Sequence, residues 1–314
     1  MKAIFKKATA LLLSVLFIIA IFAGCAQEES QISPILYKVT DGEGNHIWLF
    51  GSIHIGEDYF YPLPDYVLNA FNQSDALAVE FDGVALQQDM QAQAELMGLM
   101  IYTDGTTIKD HISPELYNSA RKILEENQQY IPAMDYYIPA MWSSAIDNIT
   151  VSKLGLKTEL GIDLHLLNKA NEVGKPILEV ESAKLQYEML ANYSAELQEF
   201  LLTSSVQQGQ NPILAKPSYD QMINLWAKGD EAALDSYLNA QSPLLTAEQK
   251  LLMEEYNDAL ITQRNKNMTK YAMAALQSGK KVFICVGAAH IVGRNAVAQQ
   301  LKALGYTVER VENK

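Results

Sequence analysis

Lys281-Val282-Phe283-Ile284-Cys285-Val286-Gly287-Ala288-Ala289-His290 is the stretch that decides the fold. A short apolar run of this kind, ended by a glycine, reads as a strand buried on both faces, the usual state of a parallel strand under helices. The glycine permits a tight turn at the strand's carboxyl end. His290 then stands just past that end, where open α/β sheets bind their ligands. Cys285 lies inside the run and reads as a small buried hydrophobe rather than a nucleophile. Beyond the histidine, 294–304 has helical periodicity, and 306–311 reads as a last strand after Gly305.

The start of the chain follows the same grammar. Runs with β character at 35–40 and 46–50 flank Asp41-Gly42-Glu43-Gly44-Asn45, which reads as a hairpin connection. Gly51-Ser52-Ile53-His54 follows, then a helix over about 64–72 and a buried strand at 76–81 that carries Glu80 at its end. Strand, Gly-x-x-His, helix, strand thus occurs twice, with the histidines at 54 and 290. The expected fold class is α/β: two βαβ-like halves, each with a Gly-x-x-His loop, share one mixed, largely parallel sheet. Gly51 and Gly287 are the structural glycines of the two loops.

Between the halves the chain is mainly helical. Ser113 caps a helix with Pro114 at its first position. The segment 161–172 is another helix, stopped by Gly174 and followed by a strand at 176–181. The capping box from Thr246 to Gln249 opens a long helix running towards Gly279. Helical insertions over about 84–158 and 183–280 cover the sheet. No linker long or polar enough to divide the chain is present, so 34–314 is expected to form a single domain.

Composition narrows the function. Of 314 residues, 49 % are apolar and 19 % charged, which is the make-up of a globular protein and not of a disordered one. The formal charge of −13 argues against a basic groove for nucleic acid. Lys2, Lys6 and Lys7 precede a largely apolar run over 8–22, then Ala23, Gly24 and Cys25, the order of an export signal. The run is short for a bilayer span, which takes about 20 residues. The Ala-Gly-Cys ending resembles a bacterial lipobox, so residues 1–24 are expected to be a signal peptide, Cys25 the lipidated residue and 25–33 a tether. An uncleaved anchor and plain secretion are the alternatives. Loss of 1–24 removes three lysines and no acid, taking the charge from −13 to −16. Attachment would then rest on lipid chains rather than on anionic headgroups. The expected location is the extracytoplasmic face of a membrane.

His54, Glu80 and His290 all follow strand ends and are expected to converge on one edge of the sheet. Other polar residues interrupt apolar elements: Asp163 and His165 near a helix start, Glu181 at a strand end with Glu179 on its face, and the run 263–267, which includes Arg264 and Asn265. An acid in a first helical turn favours the helix dipole in its own right, and a solvated face accounts equally for the polar run.

Taken together, Leu49-Phe50-Gly51-Ser52-Ile53-His54, Val79-Glu80, Gly161-Ile162-Asp163 with His165, Val180-Glu181-Ser182 with Gln186, Arg264-Asn265 and Val286-Gly287-Ala288-Ala289-His290 with Gly293 resemble the TraB/GumN family, which includes the TIKI-type membrane-tethered proteases. The matches run from about residue 35 to 311. The resemblance implies an α/β sheet with helical insertions and a divalent-metal hydrolase site built from the paired Gly-x-x-His motifs and the glutamate. Two imidazoles and a carboxylate suit manganese, cobalt or zinc, with positions left for water and a peptide or small-molecule substrate. His54 and His290 are the expected metal ligands, and Glu80 is either the third ligand or the general base. Arg264, with Asn265 orienting it, is expected to hold a substrate carboxylate or an oxyanion. Asp163, His165 and Glu181 are expected to orient the ligands. Two readings from other classes stay open: a non-catalytic peptide-binding lipoprotein and a haem- or iron-binding surface protein.

Overall fold

The computed structural model describes residues 31–240 and 242–312; the signal segment, Cys25 and most of the expected tether lie outside them. Six strands form one sheet: β1 (Leu36–Thr40), β2 (His46–Ser52), β3 (Ala76–Val79), β4 (Ile177–Glu179), β5 (Val282–Gly287) and β6 (Thr307–Arg310). Their order is β4-β3-β5-β2-β1-β6. β5 lies parallel between β3 and β2, and β4 is parallel to β3. β1 pairs antiparallel with both β2 and β6, so it alone runs against the rest. The expectation of a mixed, largely parallel α/β sheet holds.

The physical cause is legible in the central strands. Every residue from Val282 to Val286 is buried, as is every residue of β3, which is what strands covered on both faces require. β1 and β2 are instead a hairpin: Asp41 Oδ1 accepts from the backbone N–H of Glu43 and of Asn45, both at 2.9 Å, and Gly44 takes the left-handed φ of +91° that the turn demands. One face of the sheet buries Phe50, Leu77, Phe283 and Cys285 against the helices Asp65–Gln73, Ile162–Val173 and Pro212–Lys228. The other buries Leu49, Ala78, Ile284 and Val286 against Arg264–Gln277 and Val297–Ala303.

The inserted helices have a core of their own. Trp142, Ile146, Ile123, Leu124 and Leu202 pack the helices Pro114–Glu126, Pro139–Lys153 and Ala195–Gln210 on one another. Two expected elements differ from observation. The helix expected over 294–304 is shorter, Val297–Ala303, preceded by a turn. The long helix expected from Thr246 to Gly279 is instead three segments: Ala247–Asn257, a π-helical stretch Asp258–Gln263, and Arg264–Gln277. Such widened turns accommodate one extra residue and are frequent at functional sites. Here it stands directly before Arg264 and Asn265.

Candidate active site

β2 and β5 are neighbours, with Ser52 paired to Gly287 and Gly51 to Val286. The two Gly-x-x-His motifs therefore lie side by side, offset by one residue, and their glycines do different work. A Cβ on Gly51 would meet the Ile291 side chain at 2.6 Å and the Ala288 Cα at 3.1 Å, so Gly51 lets the helical turn Ala288–Ile291 pack on the sheet. A Cβ on Gly287 would meet only site atoms: Glu80 Oε1 at 3.4 Å, His290 Cδ2 at 3.7 Å and His54 Nε2 at 4.0 Å. Both histidines and the glutamate thus converge over Gly287.

Each histidine is anchored through Nδ1. His290 is 4 % exposed, and its Nδ1 lies 2.7 Å from Asn265 Oδ1. The Asn265 amide has its orientation set at the other end, where Nδ2 donates to the Asn295 carbonyl at 3.0 Å. The oxygen therefore faces the imidazole, Nδ1 carries the proton, and the Nε2 lone pair is left to the site. Burial, with Arg264 and His54 nearby, lowers the His290 pKa to about 4 despite the opposing pull of Glu80. It is a neutral imidazole at neutral pH. His54 is more open, with 67 % of its side chain exposed, and its Nδ1 lies 3.1 Å from Asp163 Oδ1. That contact pushes its pKa up to about 9. Asp163 reaches it because the Ile162 N–H donates to the Ile53 carbonyl at 2.9 Å. The approach is so close that a Cβ on Gly161 would sit 2.7 Å from the His54 carbonyl oxygen.

Glu80 is held from all sides. Its Oε1 accepts from the Gly287 N–H at 2.8 Å and lies 3.9 Å from His290 Nε2. Its Oε2 accepts from Arg264 Nη2 at 2.6 Å and Gln186 Nε2 at 3.0 Å. Burial alone would raise its pKa, but Arg264, both histidines and the Gly287 amide outweigh it and hold the carboxyl down at about 2. Arg264 departs from its expected task. Its Nε donates to both oxygens of Glu181, at 3.1 and 2.9 Å, and Nη2 to Glu181 and Glu80, so the guanidinium clamps two of the protein's own carboxylates. Asn265 orients His290 rather than Arg264. A solvated face is excluded for both, which are 5 % and 0 % exposed. Glu181, its side chain 1 % exposed, anchors the arginine. Glu179 turns elsewhere, accepting from the Asp82 N–H. His165 packs on the Tyr61 ring, centroids 4.5 Å apart, rather than on either ligand candidate.

Gln186 is part of the family resemblance, and the structure shows what it touches. Ser182 caps the helix Ala183–Ala191, which sets Gln186 over the strand end, between Glu80 and Glu181. The Asn295 carbonyl carries no sequence signal at all, because any residue supplies one. A cavity of about 380 Å³ opens on the site, lined by His54, Glu80 and His290 together with Tyr219, Met222 and Trp226. Trp226 is fixed by its own Nε1, which donates to the Gly51 carbonyl at 2.9 Å.

The donor set suits a divalent metal: the neutral His290 imidazole with Nε2 free, the His54 imidazole, which would give up its Nε2 proton to a metal, and a carboxylate oxygen, grouped around a glycine that leaves the space open. Among the described residues, no three His, Cys, Asp or Glu side chains are already arranged to hold an ion together. The site is thus convergent without being closed. No described helix is long and apolar enough to cross a membrane.

Comparison with known proteins shows which family the chain resembles over its length. Over 261 residues the chain is 28 % identical to the Uncharacterized protein YbaP of Escherichia coli (strain K12), covering 82 % of this chain and 88 % of that one. It is 22 % identical over 302 residues to Metalloprotease TIKI2 of Xenopus tropicalis, covering 83 % of this chain and 57 % of the longer relative. With Metalloprotease TIKI1 of Danio rerio it shares 22 % identity over 330 residues, or 91 % of this chain and 65 % of that one. No solved structure matches it. The family model fits residues 35–310, nearly all of the described chain, and the protein belongs to the TraB/PrgY/gumN family.

Proposed function

We propose that the protein is a divalent-metal-dependent hydrolase of peptides, held at the outer face of a membrane by lipid on Cys25. The observation that carries the reading is the convergence of His54 Nε2, His290 and Glu80 Oε1 over Gly287. Metalloproteases among the relatives support it. His54 and His290 would hold the metal, manganese, cobalt or zinc, with Glu80 Oε1 beside them. A metal bound there lowers the pKa of a water molecule and polarises a carbonyl.

The chain's own residues account for the rest. Asp163 and Asn265 keep each Nδ1 occupied, so that Nε2 is the atom presented. Arg264, Gln186 and the Gly287 amide keep Glu80 ionised and in place. A carboxylate with its pKa near 2 is a weak proton acceptor, which favours a ligand role for Glu80 over that of general base. Tyr219, Met222 and Trp226 offer an apolar wall for a substrate side chain and limit water around the scissile bond.

The test is the metal content and peptide hydrolysis of the detergent-purified protein beside His54→Ala, His290→Ala and the double variant. Each single change is expected to abolish both, and the double change to add almost nothing, because the residues act on one site. Partial, independent losses in the two single variants would mean that the histidines serve separate places. Metal-loaded wild type that cleaves nothing across a broad peptide and ester panel would leave a peptide receptor instead.

A further inference from the structure

We propose that a polar groove beside the histidine cavity is a carboxylate-binding subsite for peptides, with Arg294 as its anion anchor. The inference names a substrate class for the site and rests on the hydrolase reading only for the fate of the bound peptide. The groove has a volume of about 750 Å³ and adjoins the histidine cavity, with Leu238, Leu260, Ile261 and Ala289 lining both. The compartments differ in chemistry. The cavity is walled by Tyr219, Met222 and Trp226, whereas the groove presents Asn257, Thr262 and Asn295 and a single cation, Arg294.

Arg294 is exposed and makes no ion pair or hydrogen bond among the described residues. Arg264, by contrast, is consumed by Glu80 and Glu181. The one acid on the groove wall, Asp235, has its Oδ1 engaged by Asn239 Nδ2 at 2.7 Å. In a protein of net charge −13, an unengaged guanidinium beside the site is the group that a ligand carboxylate meets, and its planar fork suits two-point binding.

The turn that carries Arg294 is built rather than loose. Gly293 takes a φ of +103°, and Asp235 fills the space where its Cβ would stand. The Ala296 N–H closes the turn on the Gly293 carbonyl at 3.2 Å. The Asn295 carbonyl accepts from Gln300 Nε2 at 2.8 Å and from Asn265 Nδ2 at 3.0 Å. Asn265 is also the residue that orients His290. The backbone next to Arg294 and the candidate ligand His290 are therefore tied to one amide, which places the arginine's attachment point beside the histidine site while its side chain stays free to meet a ligand.

The test is fluorescence anisotropy with full-length protein in detergent and EDTA, using fluorescein-labelled Ala-Phe-Ala-Ala as free acid and as amide, and an amide that ends in Asp. The free acid is expected to bind about tenfold tighter than the plain amide, the weight of one charge-assisted contact. Arg294→Gln is expected to remove that preference by weakening the acid alone, and Arg294→Lys to keep part of it. Tight, Arg294-dependent binding of the Asp amide would assign the subsite to side-chain carboxylates as well as chain ends. Equal binding of acid and plain amide, a preference that survives in Arg294→Gln, or no binding of any peptide overturns the inference. Cleavage is read separately, with metal. An Arg294-dependent preference without cleavage refutes the hydrolase reading and leaves the subsite; cleavage without the preference does the reverse.

Discussion

Arg264, Glu80 and Glu181 form a triad whose members are 6 %, 13 % and 1 % exposed, and burial changes what each is worth. A surface pair contributes little, but removing one partner of a buried set strands a charge without water. Arg264→Gln is therefore expected to cost about 3–5 kcal/mol in urea unfolding; a loss under about 1 kcal/mol would show that the carboxylates find other partners. The same burial shapes the pH response of the metal-free protein. His290 has its pKa lowered from 6.5 to about 4, and Glu80 from 4.5 to about 2, so the unfolded chain binds both protons more readily. Stability from these groups is complete above the unfolded values, and is lost through His290 as pH falls from 6.5 to 4 and through Glu80 from 4.5 to 2. His54, raised to about 9, acts in the opposite sense in another window: its contribution is present below 6.5 and fades as pH rises through 9. The urea midpoint is expected to fall between pH 7 and pH 4, and His290→Gln to flatten the upper part of that fall. A flat wild-type profile from pH 7 to pH 5 would contradict the assignment of His290 as a buried neutral imidazole.

The two glycine motifs look alike in the chain and separate once β2 and β5 are paired. Gly51→Ala would drive a methyl group into Ile291 and the Ala288 backbone, and is expected to destabilise by about 1–3 kcal/mol, as overpacking does. At Gly287 the φ of −52° suits any residue, and the contacts at 3.4 Å and beyond are ordinary, so Gly287→Ala is expected to change stability by less than about 0.5 kcal/mol. Its methyl group would instead fill the space between the histidines and Glu80 and abolish metal uptake. Thermal unfolding with metal analysis of both variants checks the contrast; equal effects on stability would sink it. The helix behind Arg264 shows why element bounds were less legible than element types. Its capping box at Thr246 announces a start, and both Thr246 partners form as expected. The π-helical stretch leaves no mark in the apolar pattern; Leu260 and Ile261 within it line the cavity, and Arg264 directly after it turns towards two strand ends.

At the scale of the molecule, the hydrolase reading carries an address. Cys25→Ser is expected to release the protein from the membrane fraction, since an acidic chain has no electrostatic hold on anionic lipid. Fractionation followed by immunoblotting checks this, and a variant that stays bound as tightly as wild type would point to an uncleaved anchor. The chain by itself determined the fold class and the three strand-end residues His54, Glu80 and His290, because burial on both faces writes a continuous apolar run and the polar residue that ends it has one place to go. It determined the local devices too: the Asp41 turn, the Ser113 and Thr246 caps, and the glycine at 161 that precedes an acid. Only the tertiary structure decided that β5 inserts between β3 and β2, that Gly51 packs while Gly287 opens the site, and that Arg264 clamps the carboxylates just past the ends of β3 and β4. Those facts depend on partners far apart in the chain, 184 residues for Arg264 and Glu80 and 207 for Gly287 and Glu80, brought together by strand pairing and helix packing. Residue types announce what chemistry is available, and the pairing of distant elements decides which groups are left free to perform it.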